Sequence, residues 1–250
     1  MHDSDRLSRR QWLLGAGAAG TAALLDGCAL PGHPTRHGLA PAERQLLARP
    51  EETLPILQYQ VAGTNLGTVL RQRSRPARDL PRRSLERLDR LLRATLKRSG
   101  GVGLAAPQVG LARRVVLVQL QIPQRPVLTC VDPRILRSSA DQVSGYEGCL
   151  SIRGVGGALD RARWVELSYY DLRGRRHSRR SVGWEARIFQ HEVDHLNGRL
   201  YVDLVQGPLL PTEEMRRRRR LRPGRRTSIP RIGPRRLARA SGEPETVVLL

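Results

Sequence analysis

Five consecutive residues, His191-Glu192-Val193-Asp194-His195, carry the most readable chemistry in this 250-residue chain. On a helix, imidazoles four positions apart project from one face, one turn apart, and can share a metal ion. Glu192, one residue round from the first imidazole, reaches a water held by that ion rather than the ion itself. A cation makes such a water more acidic and a nearby carboxylate takes its proton, which is the arrangement of metal-assisted hydrolysis. The plain alternative is a surface helix with two histidines among scattered acids. It conflicts with the apolar residues around the motif, which call for burial.

Two helix histidines leave a third protein ligand to be found. The metzincin pattern places a third histidine six residues after the second; Gly198 fits that pattern, but Tyr201 occupies the ligand position. A thermolysin-type site would use a downstream glutamate, and Glu213 and Glu214 are at a tolerable separation. Pro208 and Pro211 interrupt that segment, however, and an arginine run follows it. Cys149, in Glu147-Gly148-Cys149-Leu150-Ser151, is the remaining candidate, because a thiolate suits iron or zinc. Three cysteines are too few for a disulfide framework. Cys130 and Cys149 could pair, but Cys149 has a better use as a ligand.

These residues need elements to hold them. Glu185–Asn197 reads as a helix with Ala186, Ile188, Phe189, Val193 and Leu196 apolar and Gly198 after its end. Residues 84–98 place Leu85, Leu88, Leu91, Leu92 and Leu96 at helical spacing, with Ser84 as N-cap and Gly100-Gly101 as terminator. Arg114–Gln121, Val127–Val131 and Trp164–Tyr170 read as strands. Several strands followed by one central helix predict an α+β domain. No internal repeat is visible.

Three short motifs in order make a resemblance specific. Gly101-Val102-Gly103-Leu104-Ala105-Ala106-Pro107-Gln108 is followed by Glu147 to Ser151 and then by His191 to His195. Together they resemble the peptide deformylases, with looser similarity from about Leu54 to Val205. The resemblance implies an α+β mixed domain of antiparallel strands around a central helix carrying His191 to His195. It also implies Cys149, His191 and His195 as metal ligands, usually for Fe2+, with Zn2+ or Ni2+ able to occupy such a site, and no organic cofactor.

The implied substrate is an N-formylmethionyl peptide or nascent chain, cleaved to formate and a free amino terminus. Glu192 would act as general base and then acid, while the Gln108 amide and the Leu150 N–H would stabilise the oxyanion. Gly101, Gly103 and Gly148 would bind substrate, the first two by letting backbone approach the peptide closely. Asp194 would fix neighbouring groups rather than bind metal. Two residues depart from the family pattern: Arg153 stands where proline is usual, and Asp132 where asparagine is common. Competing readings are a metalloprotease sharing the two-histidine motif, and a non-catalytic basic binding protein with a vestigial site.

The formal net charge of +21 suggests a nucleic-acid or membrane binder, but its distribution weakens that suggestion. Nearly half of the excess falls in the last 36 residues, and only one of the 44 basic residues is lysine, a sign of codon bias. Residues 208–250 read as an arginine-rich disordered tail, whose 216–226 run suits ribosomal RNA or anionic lipid. At the other end, residues 1–28 read as a signal segment: Arg9-Arg10, an uncharged run from Leu13 to Leu25, then Cys28 in a lipoprotein-like box. Export or membrane tethering is thereby implied, against the cytoplasmic location that the family resemblance implies. Residues 29–50, rich in Pro and Gly, read as a linker. The catalytic domain is expected over 51–207.

Overall fold

A computed structural model of the chain describes residues 38–50, 52–59, 69–220 and 247–249. The first helix, α1 (Pro41–Leu47), opens on a proline, whose fixed φ suits the first helical turn. It falls inside the expected linker, so that reading is corrected at its end. Leu47 and Glu43 are buried. The Glu43 carboxylate accepts from Arg113 Nε and Nη2, at 2.8 and 2.9 Å, and from Arg75 Nη2 at 2.9 Å. A helix anchored by one leucine and an ion pair with a distant partner leaves little periodic signal.

The second helix, α2 (Arg82–Ser99), buries the five leucines named above and stops at Gly100, which has a left-handed φ of 68°. It starts before Ser84: Pro81 holds the N-cap position, and no side chain caps the helix. Strand β1 (Gly103–Ala105) leads through a 3-10 turn, Ala106–Val109, to β2 (Val115–Gln119) and β3 (Val127–Ser138). There follow β4 (Gln142–Cys149), β5 (Ile152–Ala162), β6 (Trp164–Tyr170) and β7 (Arg176–Val182). Helix α3 (Trp184–Leu196) carries the two histidines. Strand β8 (Leu210–Pro211), helix α4 (Thr212–Arg220) and strand β9 (Val247–Leu249) complete the described chain.

The strands form two sheets, in the orders β1-β2-β3-β6-β7 and β8-β5-β4-β9. All pairings are antiparallel except that of β4 with β9. Helix α3 packs on every strand of the first sheet and on β5 of the second, so the two-histidine helix is central, as an α+β domain of this type requires. Ile188 and Phe189 join Val116, Val118 and Leu167 in one core, while Leu85 to Leu96 of α2 join Leu104 and Leu117 in another. A third surrounds Cys149, Ile152, Leu159 and Tyr201.

Strand β3 outruns its expected end at Val131 because a register shift between Val131 and Arg134 absorbs Pro133. At that shift Asp132 adopts a φ of 49°. Its carboxylate accepts from Ala77 N at 2.7 Å and Arg78 Nε at 2.8 Å. Aspartate, like asparagine, tolerates the left-handed region, so the departure from the family pattern leaves this turn intact.

The reading of 208–250 as wholly disordered is also corrected. Leu210 and Pro211 pair with Gly156 and Val155, and Met215 of α4 is buried over Gly156, where a Cβ would lie 2.3 Å from its Cε. Val247–Leu249 pairs with Tyr146–Gly148. The few apolar residues of the tail dock, and the average composition conceals them. The expected signal segment 1–28 and residues 221–226 of the arginine run lie outside the described residues. Among the described residues, no helix is long and apolar enough to cross a membrane.

Arg113 is 1% exposed and depends on Glu43 and Asp79 for charge balance. Glu43→Ala should therefore destabilise the protein by about 3 kcal/mol, because it leaves a buried cation short of its main partner. The change should be read as a lower urea midpoint at constant slope.

Candidate metal centre

Strand β4 delivers Cys149 at its end, and α3 delivers His191 and His195 one turn apart. The ligand atoms of these three buried residues all lie within 4.8 Å of one another. Cys149 Sγ is 3.3 Å from His195 Nε2, and the two imidazole rings meet edge to face, with centroids 4.9 Å apart. Glu213 and Glu214, weighed as ligands on spacing, lie on α4 and outside this cluster.

The carboxylate of Glu147 sets the tautomer of His191. Its Oε2 lies 2.8 Å from His191 Nδ1 and thereby takes the Nδ1–H, leaving the Nε2 lone pair for a cation. Arg161 donates to both Glu147 oxygens at 3.0 Å, and to Asp194 Oδ2 at 2.5 Å. Burial alone would raise the Glu147 pKa, but Arg161 and His191 outweigh it and hold the carboxyl well below the usual range. Asp194 thus reaches Glu147 through Arg161.

His191 Nε2 is buried with no hydrogen-bond partner in the protein. An orphaned imidazole nitrogen beside a buried sulfur and a second imidazole fits a divalent cation, with the thiolate-plus-imidazole donor set that suits Fe2+, Zn2+ or Ni2+. Without a cation, burial first and then the Glu192 and Glu147 charges push the Cys149 thiol up to about 12. Ionising that sulfur at neutral pH requires the ion itself. Burial, followed by His191 and Arg161, depresses His195 well below its ordinary value, so its ring stays neutral.

Glu192 is fully buried and neither of its oxygens has a partner. A Cβ on Gly103 would lie 2.2 Å from its Oε1, so the glycine makes room for this side chain. This use is separate from the expected role of Gly103, an approach of backbone to substrate. A Cβ on Gly101 would meet Leu150 Cδ1 at 2.8 Å, so it too is confined by the protein itself. Gly148 sits in β4 opposite Gly156 and Leu249.

Gln108 is held by its own backbone turn. Its Oε1 accepts from Ala105 N at 2.8 Å, which aims Nε2 at Cys149 Sγ, 3.5 Å away, and at Ser151 Oγ, 3.4 Å away. Leu150, next to Cys149, is fixed through its carbonyl, which accepts from Gln58 Nε2 at 3.1 Å. Leu57 N donates to Gln108 O and Tyr59 N to Ser151 O, both at 2.7 Å. This strap of residues 57–59 was not apparent as a site element. Tyr201, considered only as a failed ligand, stacks on His191 at 6.1 Å between centroids and donates from its hydroxyl to Val155 O at 3.1 Å. Arg153, by contrast, is exposed.

The assembled groups can hold one cation, one base and an amide donor about a single point, away from bulk water. The family model for polypeptide deformylases matches residues 53–208. A peptide deformylase of Desulforudis audaxviator is 39% identical over 135 residues, covering 54% of this chain and 86% of that protein. One of Halothermothrix orenii is 35% identical, covering 61% and 95%. Among solved structures, an actinonin-bound class I type b peptide deformylase from Acinetobacter baumannii shares 36% identity at a TM-score of 0.55, covering 62% of this chain and 99% of that one. The peptide deformylase of Thermotoga maritima shares 29% at 0.56, covering 63% and 100%.

Burial, then the Glu147 charge, raises the Glu192 pKa well above its ordinary 4.5. A carboxyl raised on folding contributes stability that is full below the unfolded pKa and is lost as pH rises toward the folded one. Metal-free Glu192→Gln should accordingly have a higher Tm than the metal-free wild type at pH 7, with the gap closing near pH 4. Equal Tm values at both pH values would contradict the burial penalty.

Proposed function

The chain belongs to the polypeptide deformylase family, and from that premise we propose that it removes the N-formyl group from N-formylmethionyl peptides, releasing formate and a free amino terminus. The carrying observation is the convergence of Cys149, His191 and His195 within 4.8 Å beside the unpartnered carboxyl of Glu192. Cys149, His191 and His195 would hold one divalent ion, with Fe2+ the assignment and Zn2+ or Ni2+ compatible with the same donors. Such an ion supplies Lewis-acid charge and makes water a stronger acid at neutral pH.

The protein's own groups do the rest. Glu192 takes the proton from the attacking water and delivers it to the departing amine. Its burial raises its proton affinity, the direction a base needs. The Gln108 amide, already oriented by Ala105 N, and the Leu150 N–H donate to the oxygen on which charge develops. Gly101, Gly103 and Gly148 line the approach for an extended peptide. The first two are also needed for the fit of Leu150 and Glu192.

The catalytic unit extends beyond 51–207 to include α1 and α4. The 216–226 arginine run supports an electrostatic contact with ribosomal RNA or anionic lipid. Removing residues 216–250 should weaken ribosome or anionic-vesicle binding at low salt; unchanged binding to both would refute that contact.

Glu192→Ala should retain metal and lose nearly all deformylase turnover, whereas Cys149→Ala should lose the metal. Turnover by Glu192→Ala within tenfold of wild type would refute the assigned base. Presenting one peptide with and without its formyl group separates this activity from that of a metalloprotease. A deformylase releases formate from the first alone and cuts no internal bond.

A further inference from the structure

Arg187 plays no part in the mechanism above, yet its guanidinium reaches the carboxylate that holds His191. It lies on α3 one turn before His191 and is buried. Nη1 donates to Glu147 Oε1 at 2.8 Å and to Leu159 O at 3.2 Å, and Nη2 donates to Val143 O at 2.5 Å. Strand β4 is shaped to admit it: a Cβ on Gly145 would lie 2.9 Å from its guanidinium carbon.

A brace between α3 and the second sheet would need only the carbonyls of Val143 and Leu159. The bond to Glu147 goes further. Arg161 holds that carboxylate from β5 of the second sheet, with Nε and Nη2 on its two oxygens and Nη1 on Asp194. Arg187 grips Oε1 from the helix that carries His191, while His191 meets Oε2 from the same helix. Helix, carboxylate and imidazole form a closed loop, in which the carboxylate plane and the ring torsion are both referred to α3. We propose that Arg187 is a positioning residue for the metal centre, locking Glu147 so that the His191 ring presents Nε2 to the point shared with Cys149 and His195.

This rests on the Cys149–His191–His195 ligand assignment and is tested with Co2+ as the probe. The Co2+ dissociation constant, from chelator competition, and the visible Co2+ spectrum are measured for the full-length wild type, Arg187→Met, Arg187→Lys, Glu147→Gln and the Arg187→Met/Glu147→Gln double variant. Arg187→Met should weaken Co2+ binding about tenfold or more and alter the spectrum, the usual scale for losing a group that orients a metal ligand. Arg187→Lys should fall between, since an ammonium cannot serve Glu147 and both carbonyls together. In the Glu147→Gln background the further loss should shrink to less than about twofold, because the path runs through that carboxylate.

Binding within twofold of wild type for Arg187→Met, or an undiminished loss in the Glu147→Gln background, would overturn the proposal. Should Arg187→Met fail to fold, an unchanged affinity and spectrum for Arg187→Lys would overturn it. A wild type that binds Co2+ no better than Cys149→Ala would defeat the ligand assignment, and with it this inference. Tight wild-type binding combined with insensitivity at Arg187 defeats the inference alone.

Discussion

A single carboxylate, that of Glu147, is the constraint on which the site depends. It is fully buried, where an isolated charge would cost several kcal/mol. Three donors from two elements make it tolerable: Arg161 on β5, and Arg187 and His191 on α3. Because Glu147 lies two residues before Cys149 on β4, fixing it also fixes where the sulfur arrives relative to the histidines. The second sheet and the central helix are thus joined by a charge network at the point where Cys149, His191 and His195 converge. The network is satisfied only when sheet and helix are in register.

Glu192 is treated in the opposite way. Glu147 receives every hydrogen bond its oxygens can accept, whereas the Glu192 oxygens receive none from the protein. Two glutamates in one buried region are therefore driven in opposite directions, the first held ionised and the second biased toward its proton. Gly103 leaves the space that Glu192 occupies, since any side chain there would collide with it. An unsatisfied buried carboxyl lowers the stability of the fold, and catalytic sites commonly carry such local conflict.

Arginine serves two unrelated purposes. All but one of the 44 basic residues are arginine, and a dense run near the carboxyl end accounts for much of the excess charge. Arg113, Arg161 and Arg187 are different: each is buried, paired with a carboxylate and bonded to further acceptors. The planar fork of five donors explains why this residue type, and not lysine, fits such places. Net charge cannot separate the two groups, because it sums over residues whose surroundings differ completely.

Local signals were legible wherever one segment carried its own pattern. The leucine spacing over 84–98, the strand at Trp164–Tyr170 and the two-histidine helix all follow from side-chain period along a single element. The residues that converge at the candidate centre, Gln108, Cys149, His191, Glu192 and His195, likewise all stand in the three motifs. Strands β4 and β5 could not, since Gly-rich and polar sequences such as Gln142–Cys149 show no alternation. Nor could α1, whose anchor is an ion pair with Arg113. What the sequence alone determined is the chemistry available: a thiol, two imidazoles, a carboxyl and an amide. Tertiary structure alone decided that Gly103 yields space to Glu192, that 57–59 straps Gln108 and Ser151 in place, and that Arg161 and Arg187 converge on Glu147. The reason is physical: those relations join residues far apart in the chain, and a buried charge reveals its partners only once folding has removed the water between them.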